Sequence, residues 1–120
     1  MTLNEFLERL KAQPESIEFA QTMQVIEDHY EFQPTAFSNG SNHNEKGTNE
    51  GSCKIFAFAA LNDLNARQTL NCFGKYYRED VLQHPDNDDH GNIRQFMETG
   101  TQAIKFEREP LLKKLNPDGR

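Results

Sequence analysis

The chain has 120 residues with 13 basic and 19 acidic side chains, a formal net charge of −6, and 35% hydrophobic content. That length suits one domain with its own core, and a mean hydropathy of −0.86 without any apolar run near the ~20 residues of a membrane span excludes a membrane protein. The acidic balance argues against nucleic acid or anionic lipid as the main partner, and two cysteines, Cys53 and Cys72, are too few for a disulfide scaffold and point to a reducing compartment.

The N-terminus has neither the basic nor the apolar segment of a Sec-type signal peptide. Thr2 and Glu5 stand at capping-box spacing, and Leu3, Phe6, Leu7 and Leu10 then recur on one helical face. Pro14 breaks this helix and opens a second, whose inward positions are Ile17, Ala20, Met23 and Ile26. At Tyr30 the period changes to two. Tyr30 and Phe32 alternate with polar residues as a half-buried strand that Pro34 ends or edges, and Ala36 and Phe37 extend it.

Residues 38–52 hold no large apolar side chain and are crowded with Asn, Gly, Ser and Thr, which reads as a long loop without regular structure. Such loops in compact domains are usually functional or mobile. Ser52 reads as the cap of the following helix, with Cys53 in its first turn. From Ile55 to Leu64 the helix is apolar nearly all round, hence central and buried. Asn65 and Gln68 repeat the capping box, and Leu70, Phe73, Tyr77 and Val81 mark one amphipathic helix running to His84-Pro85. A second polar loop, residues 86–91, precedes a short helix over 92–99 capped by Asp88 or Asp89, with Ile93, Phe96 and Met97 inward and Gly100 as its stop. Ala103, Ile104 and Phe106 read as a closing strand paired with Tyr30–Phe32. The expected fold is α+β: one helix-rich domain over residues 1–108 with a small antiparallel sheet of two to three strands. A polar tail follows at 109–120, bracketed by Pro110 and Pro117, frayed or packed as a helical turn around its Leu-Leu pair.

Several long stretches match a known pattern in order. They are Pro34-Thr35-Ala36-Phe37-Ser38-Asn39-Gly40, the run from Gly47 to Phe58, Thr69-Leu70, Phe73-Gly74, Tyr76-Tyr77-Arg78, Asp80-Val81-Leu82, Asp89-His90 and Asn92-Ile93-Arg94. Between about Tyr30 and Phe106 the chain resembles the HopJ type III effector family. The resemblance implies a bacterial protein and brings no reaction or cofactor with it. It implies either residence in the bacterial cytoplasm or delivery by a type III secretion system.

Four constellations can carry chemistry. A helix starting at Ser52 would aim free N–H groups at the Asn-rich loop, so Asn39, Asn49, Ser52 and Lys54 can hold a small anionic ligand, and the same terminus would lower the pKa of Cys53. The plain alternative makes Ser52 an ordinary cap and Cys53 a small core residue. Next, His84, Asp86, Asp88, Asp89 and His90 supply metal-ligand types, yet their spacing fits no helical His pair, and neither a metal nor a cofactor is assigned. Third, Cys53 as nucleophile with His90 as base, oriented by Asp89 or Asn92, would make a thiol enzyme. Last, Tyr76 and Asp80 are helical neighbours, and Arg78 can staple the second loop through Asp86 or Asp89. Arg94 can do the same or clamp an anion. The expected function is binding of an unknown protein or a small anionic ligand through loops 38–52 and 86–92, with the Cys53–His90 enzyme as the alternative. Both rest on the two loops folding over one end of the central helix.

Overall fold

A computed structural model describes residues 1–114. Helix α1, Leu3–Ala12, begins with the expected reciprocal cap: the Thr2 N–H donates to Glu5 Oε1 at 2.8 Å, and the Glu5 N–H donates to Thr2 Oγ1 at 3.1 Å. Its Phe6 and Leu10 are buried. Pro14 opens only a short 3-10 turn, Pro14–Ser16, and helix α2, Phe19–His29, starts after it from Glu18. Ile17 is buried ahead of the helix, and the buried face of α2 is Thr22, Val25 and Ile26, slightly rotated from the expected stripe.

Helix α3, Glu50–Leu61, is the central element, buried at Cys53 and without interruption from Ile55 to Ala59. Phe58 meets Phe6 and Tyr30 edge-on, and Phe56 stacks on Phe96, so α3 gathers α1, the first strand and the last helix into one core. Helix α4, Ala66–Asn71, carries the expected Asn65–Gln68 capping box.

The single amphipathic helix expected from Asn65 to His84 is divided in two. Gly74 lies at φ +62°, in the left-handed region, and the chain resumes as a π-helical turn, Tyr76–Val81. A Cβ on Gly74 would come within 2.6 Å of the Phe19 backbone nitrogen, so close packing against the start of α2 demands glycine there. The Thr22 hydroxyl donates to the Cys72 carbonyl at 2.9 Å and ties α2 to this break. Helix α5, Gly91–Thr99, follows and ends at Gly100, φ +70°.

Strand pairing departs from expectation. There are two small antiparallel sheets rather than one. Strand β1, Tyr30–Phe32, pairs with β5, Leu111–Lys113, placing Phe32 opposite Leu111. Strand β2, Phe37–Asn39, is separated from β1 beyond Pro34 and lies between β3, Asn42–Asn44, and β4, Ile104–Phe106. Phe37 therefore faces Phe106, which Tyr30–Phe32 had been expected to recruit. The Leu-Leu pair of the tail supplies the partner of β1 instead, because Leu111 is apolar enough to bury, and it is 1% exposed. Pro117 lies outside the described residues. The loop of residues 38–52 is in part a tight hairpin, β2 and β3 turning at Gly40, φ +58°. The architecture is α+β, with α5 packed across β2 and β3.

Candidate functional site

Both long helices bordering the polar loops start from left-handed residues. Asn49 precedes α3 at φ 50°, and His90 precedes α5 at φ 52°. Side-chain capping at Ser52 and at Asp88 or Asp89, expected from the sequence, does not occur: Ser52 is inside the first turn of α3, and α5 begins after His90. A left-handed residue turns the chain sharply, and Asn and His tolerate it better than most. Each turn folds its loop back across its own helix end. The two ends meet, and the space between them is a cleft of about 620 Å³.

Its floor is an amide network. Asn92, in the first turn of α5, donates from Nδ2 to Asn44 Oδ1 at 2.9 Å and accepts on Oδ1 from Asn39 Nδ2 at 3.0 Å and Asn44 Nδ2 at 3.3 Å. Asn49 Nδ2 also donates to Asn44 Oδ1, at 2.7 Å. Asn39 is fully buried beneath, its Nδ2 also donating to the Asn92 carbonyl at 2.9 Å. A carbonyl only accepts, which fixes the orientation of the Asn39 amide and leaves its buried Oδ1 without a partner among the described residues. At the rim, Asn42 Nδ2 donates to the Gly91 carbonyl at 3.3 Å, joining loop to helix start.

The opposite wall is aromatic. Tyr76, at the head of the π-helical turn, packs edge-on against Phe19 at 5.0 Å and tilted against His90 at 5.2 Å between ring centres. The His90 Nε2 stands 3.0 Å from Asp80 Oδ2, one turn along. Tyr76 and Asp80, four apart in the π-helical turn, both reach His90, while Val81 stays in the core. Phe73 and Ile93 close the inner end.

Of the residues singled out in the sequence, the cleft is lined by Asn49, Ser52, Tyr76, His90 and Asn92. Asn39 supports it from below. Cys53 is not on it. The thiol is 1% exposed, and burial, aided by the Glu50 carboxylate, pushes its pKa up to about 11 rather than down. Desolvation of the thiolate outweighs the partial charge of the helix end. Lys54 points elsewhere, its Nζ 4.8 Å above the Phe32 ring on a different surface, and so lends no charge to the cleft. Arg78 does not reach Asp86 or Asp89. Its guanidinium donates to the Pro14, Ile17 and Asn71 carbonyls and to Asn71 Oδ1, fastening the π-turn to the 3-10 turn. Arg94 takes the stapling role, donating to Asp89 Oδ1 at 2.6 Å and holding that carboxyl below its usual range. Asp89 is thus tied up beside the site, 3.8 Å from His90 Nε2. His84, Asp86 and Asp88 are exposed, and no group of three or more His, Cys, Asp or Glu able to hold a metal ion occurs among the described residues.

Phe19, His43 and Phe73 line the cleft without having been singled out for it. Phe73 reads in sequence as core, and the signal that would have promoted it is Gly74 beside it, an unexplained glycine inside an apparent helix.

A comparison with the curated proteins found no match. Among solved structures, the chain is similar to a crystal structure of an unknown function protein, VPA0580, at 56% identity and a TM-score of 0.93, covering 95% of each chain. The family model described as "HopJ type III effector protein" matches residues 3–111. With all five α-helices, the two loops and their motifs inside that span, the chain belongs to the HopJ type III effector protein family.

Proposed function

We propose that the protein is a binding protein whose site is the cleft between loops 38–52 and 86–92. One observation carries this reading: residues 41–52 of the first loop and residues 90–92 at the end of the second, far apart in sequence, meet at the starts of α3 and α5 and line one cleft, which residues 86–89 do not border. A volume of about 620 Å³ suits a small molecule. The first-turn N–H groups of Gly51, Ser52, Gly91 and Asn92 have no partner inside their helices and border the same space, which supports a polar or anionic group on the ligand. A binding role is better supported than thiol chemistry, because Cys53 lies in the core with a raised pKa. A net charge of −6 supports neither nucleic acid nor a membrane surface as partner, and no described helix is long and apolar enough to cross a membrane.

Native mass spectrometry of the full chain, mixed with a bacterial small-metabolite extract, tests the reading. The expected result is a bound small mass that disappears in Asn42→Trp and Ser52→Trp, both of which fill the cleft. A bound mass unaffected by either folded variant, or none in the parent chain, overturns it.

Membership of the family supports an effector role, while two free, buried cysteines support residence in the reducing bacterial cytoplasm. We favour the cytoplasmic reading. A translocation reporter fused to the N-terminal helix tests it, and robust type III export would reverse the preference.

A further inference from the structure

Fourteen residues line the cleft, and none is Asp, Glu, Lys or Arg. With 27% of the chain charged, a lining of that size drawn at random would hold about four. The cleft lining thus carries no carboxylate, ammonium or guanidinium of its own, and the carboxylates of Asp80 and Asp89 stand behind His90, 3.0 and 3.8 Å from its Nε2. A fully ionised ligand placed there would lose hydration and meet no charged side chain of the lining, only the helix-start N–H groups of Gly51, Ser52, Gly91 and Asn92, which serve the oxygen of a neutral ligand as well.

The groups that remain can be counted by what they still have to offer. Asn44 is spent, with both oxygen lone pairs and both amide hydrogens engaged inside the network. Asn42 and Asn49 each commit an amide hydrogen to the protein, and their Oδ1 atoms have no partner among the described residues. The Ser52 and Tyr76 hydroxyls have no recorded partner among the described residues and can both give and accept, and His90 keeps Nδ1 once Nε2 is held by Asp80. Tyr76 is 42% exposed, and Phe19 and His90 pack on its ring and hold it in place. The site thus pairs one fixed aromatic face with a rim of amides and hydroxyls of mixed donor and acceptor character.

We infer that the cleft takes an uncharged ring compound with an apolar face and a hydrogen-bonding rim, seated against Tyr76 and ringed by Asn42, Asn49 and Ser52. That chemistry is shared by a sugar and by the base of a nucleoside. The inference rests on the cleft being the binding site, as proposed above. The ring's apolar face covers the exposed tyrosine, and its rim meets groups that need no change of protonation to bind it.

The full chain, labelled with nitrogen-15, is titrated separately with N-acetylglucosamine, adenosine and inorganic phosphate while amide shifts are followed. The expected result is saturable shifts at residues 49–52 and 90–92 with one of the two neutral rings, N-acetylglucosamine indicating a sugar and adenosine a base. Tyr76→Ala, a change at an exposed site whose fold the same spectrum verifies, then weakens binding about tenfold. Saturable shifts with an unweakened Tyr76→Ala variant overturn the inference. Phosphate alone moving these amides overturns it too, while leaving the cleft as the binding site. Silence from all three probes overturns the ligand class, and the bound mass in the cleft-filling experiment then decides the site itself.

Discussion

Removing one amide at a time from the network beneath the cleft should give an ordered series of stability losses. Asn44→Ala deletes the hub. It removes two close contacts to Asn44 Oδ1, at 2.7 and 2.9 Å, and three longer ones from its Nδ2. Asn92 Nδ2 then loses its only acceptor among the described residues, in a residue 8% exposed. A net hydrogen bond is worth about 1 kcal/mol and an orphaned buried donor costs about 1–3 kcal/mol more, so the expected loss is about 3–5 kcal/mol. Asn92→Ala removes three contacts but leaves every partner another: Asn39 keeps the Asn92 carbonyl, and Asn44 keeps Asn49 and two carbonyls. About 2–3 kcal/mol is expected there. Asn49→Ala, at an exposed residue whose partner remains bonded, should cost about 1–2 kcal/mol, most of it from holding alanine at φ 50° rather than from the lost hydrogen bond. The Asn44–Asn92 double variant should fall short of additivity by about 1–2 kcal/mol, since the two share their contacts. Urea unfolding followed by circular dichroism measures all four, and thermal unfolding should show the same losses as about 3–5 °C in Tm per kcal/mol for a domain of this size. Equal losses at Asn44 and Asn49, or strict additivity of the pair, would refute the network argument.

Three further outcomes follow from the packing. Gly74→Ala meets both a left-handed φ and the Phe19 backbone at 2.6 Å, so it should cost about 2–4 kcal/mol and shift the Phe19 and Tyr76 resonances; a loss below about 1 kcal/mol would show that the π-turn is not anchored there. Arg78→Lys should cost about 1–3 kcal/mol, because a point charge cannot bond the carbonyls of Pro14, Ile17 and Asn71 together as the guanidinium fork does, and an unchanged urea midpoint would refute that role. The thiols of Cys53 and Cys72, raised to about 11 and about 12, are neutral in the fold and ionise more easily when unfolded. Their contribution is complete below pH ~9 and is lost as pH rises toward the folded values, by up to about 1.4 kcal/mol per unit per thiol. Stability should therefore fall above pH 9, less steeply in Cys53→Ala, and native iodoacetamide labelling at neutral pH should be slow at both; fast labelling at Cys53 alone would restore the nucleophile reading.

What the sequence determined is everything that local chemistry fixes. Two capping boxes, the apolar girth of α3 and the stop at Gly100 depend on neighbours within one or two turns, so reading the residues recovers them. The polar loops announced themselves for the same reason, since fifteen positions lacking large apolar side chains cannot make a core of their own. Partnerships were decided only in three dimensions. Phe106 pairs with Phe37 and not with β1 because Pro34 parts the two strands and Leu111 offers β1 another apolar face. Arg78 turned to backbone carbonyls, Lys54 to an aromatic ring and Cys53 to the interior, and each choice depends on which surfaces folding brought near. Side-chain type states what a residue can bond to. Which bond forms depends on distances and burial that only the closed core sets. So the asparagines and their meeting with His90 were legible in the sequence, and which of their amide atoms bond each other and which face the cleft beside Tyr76 was not.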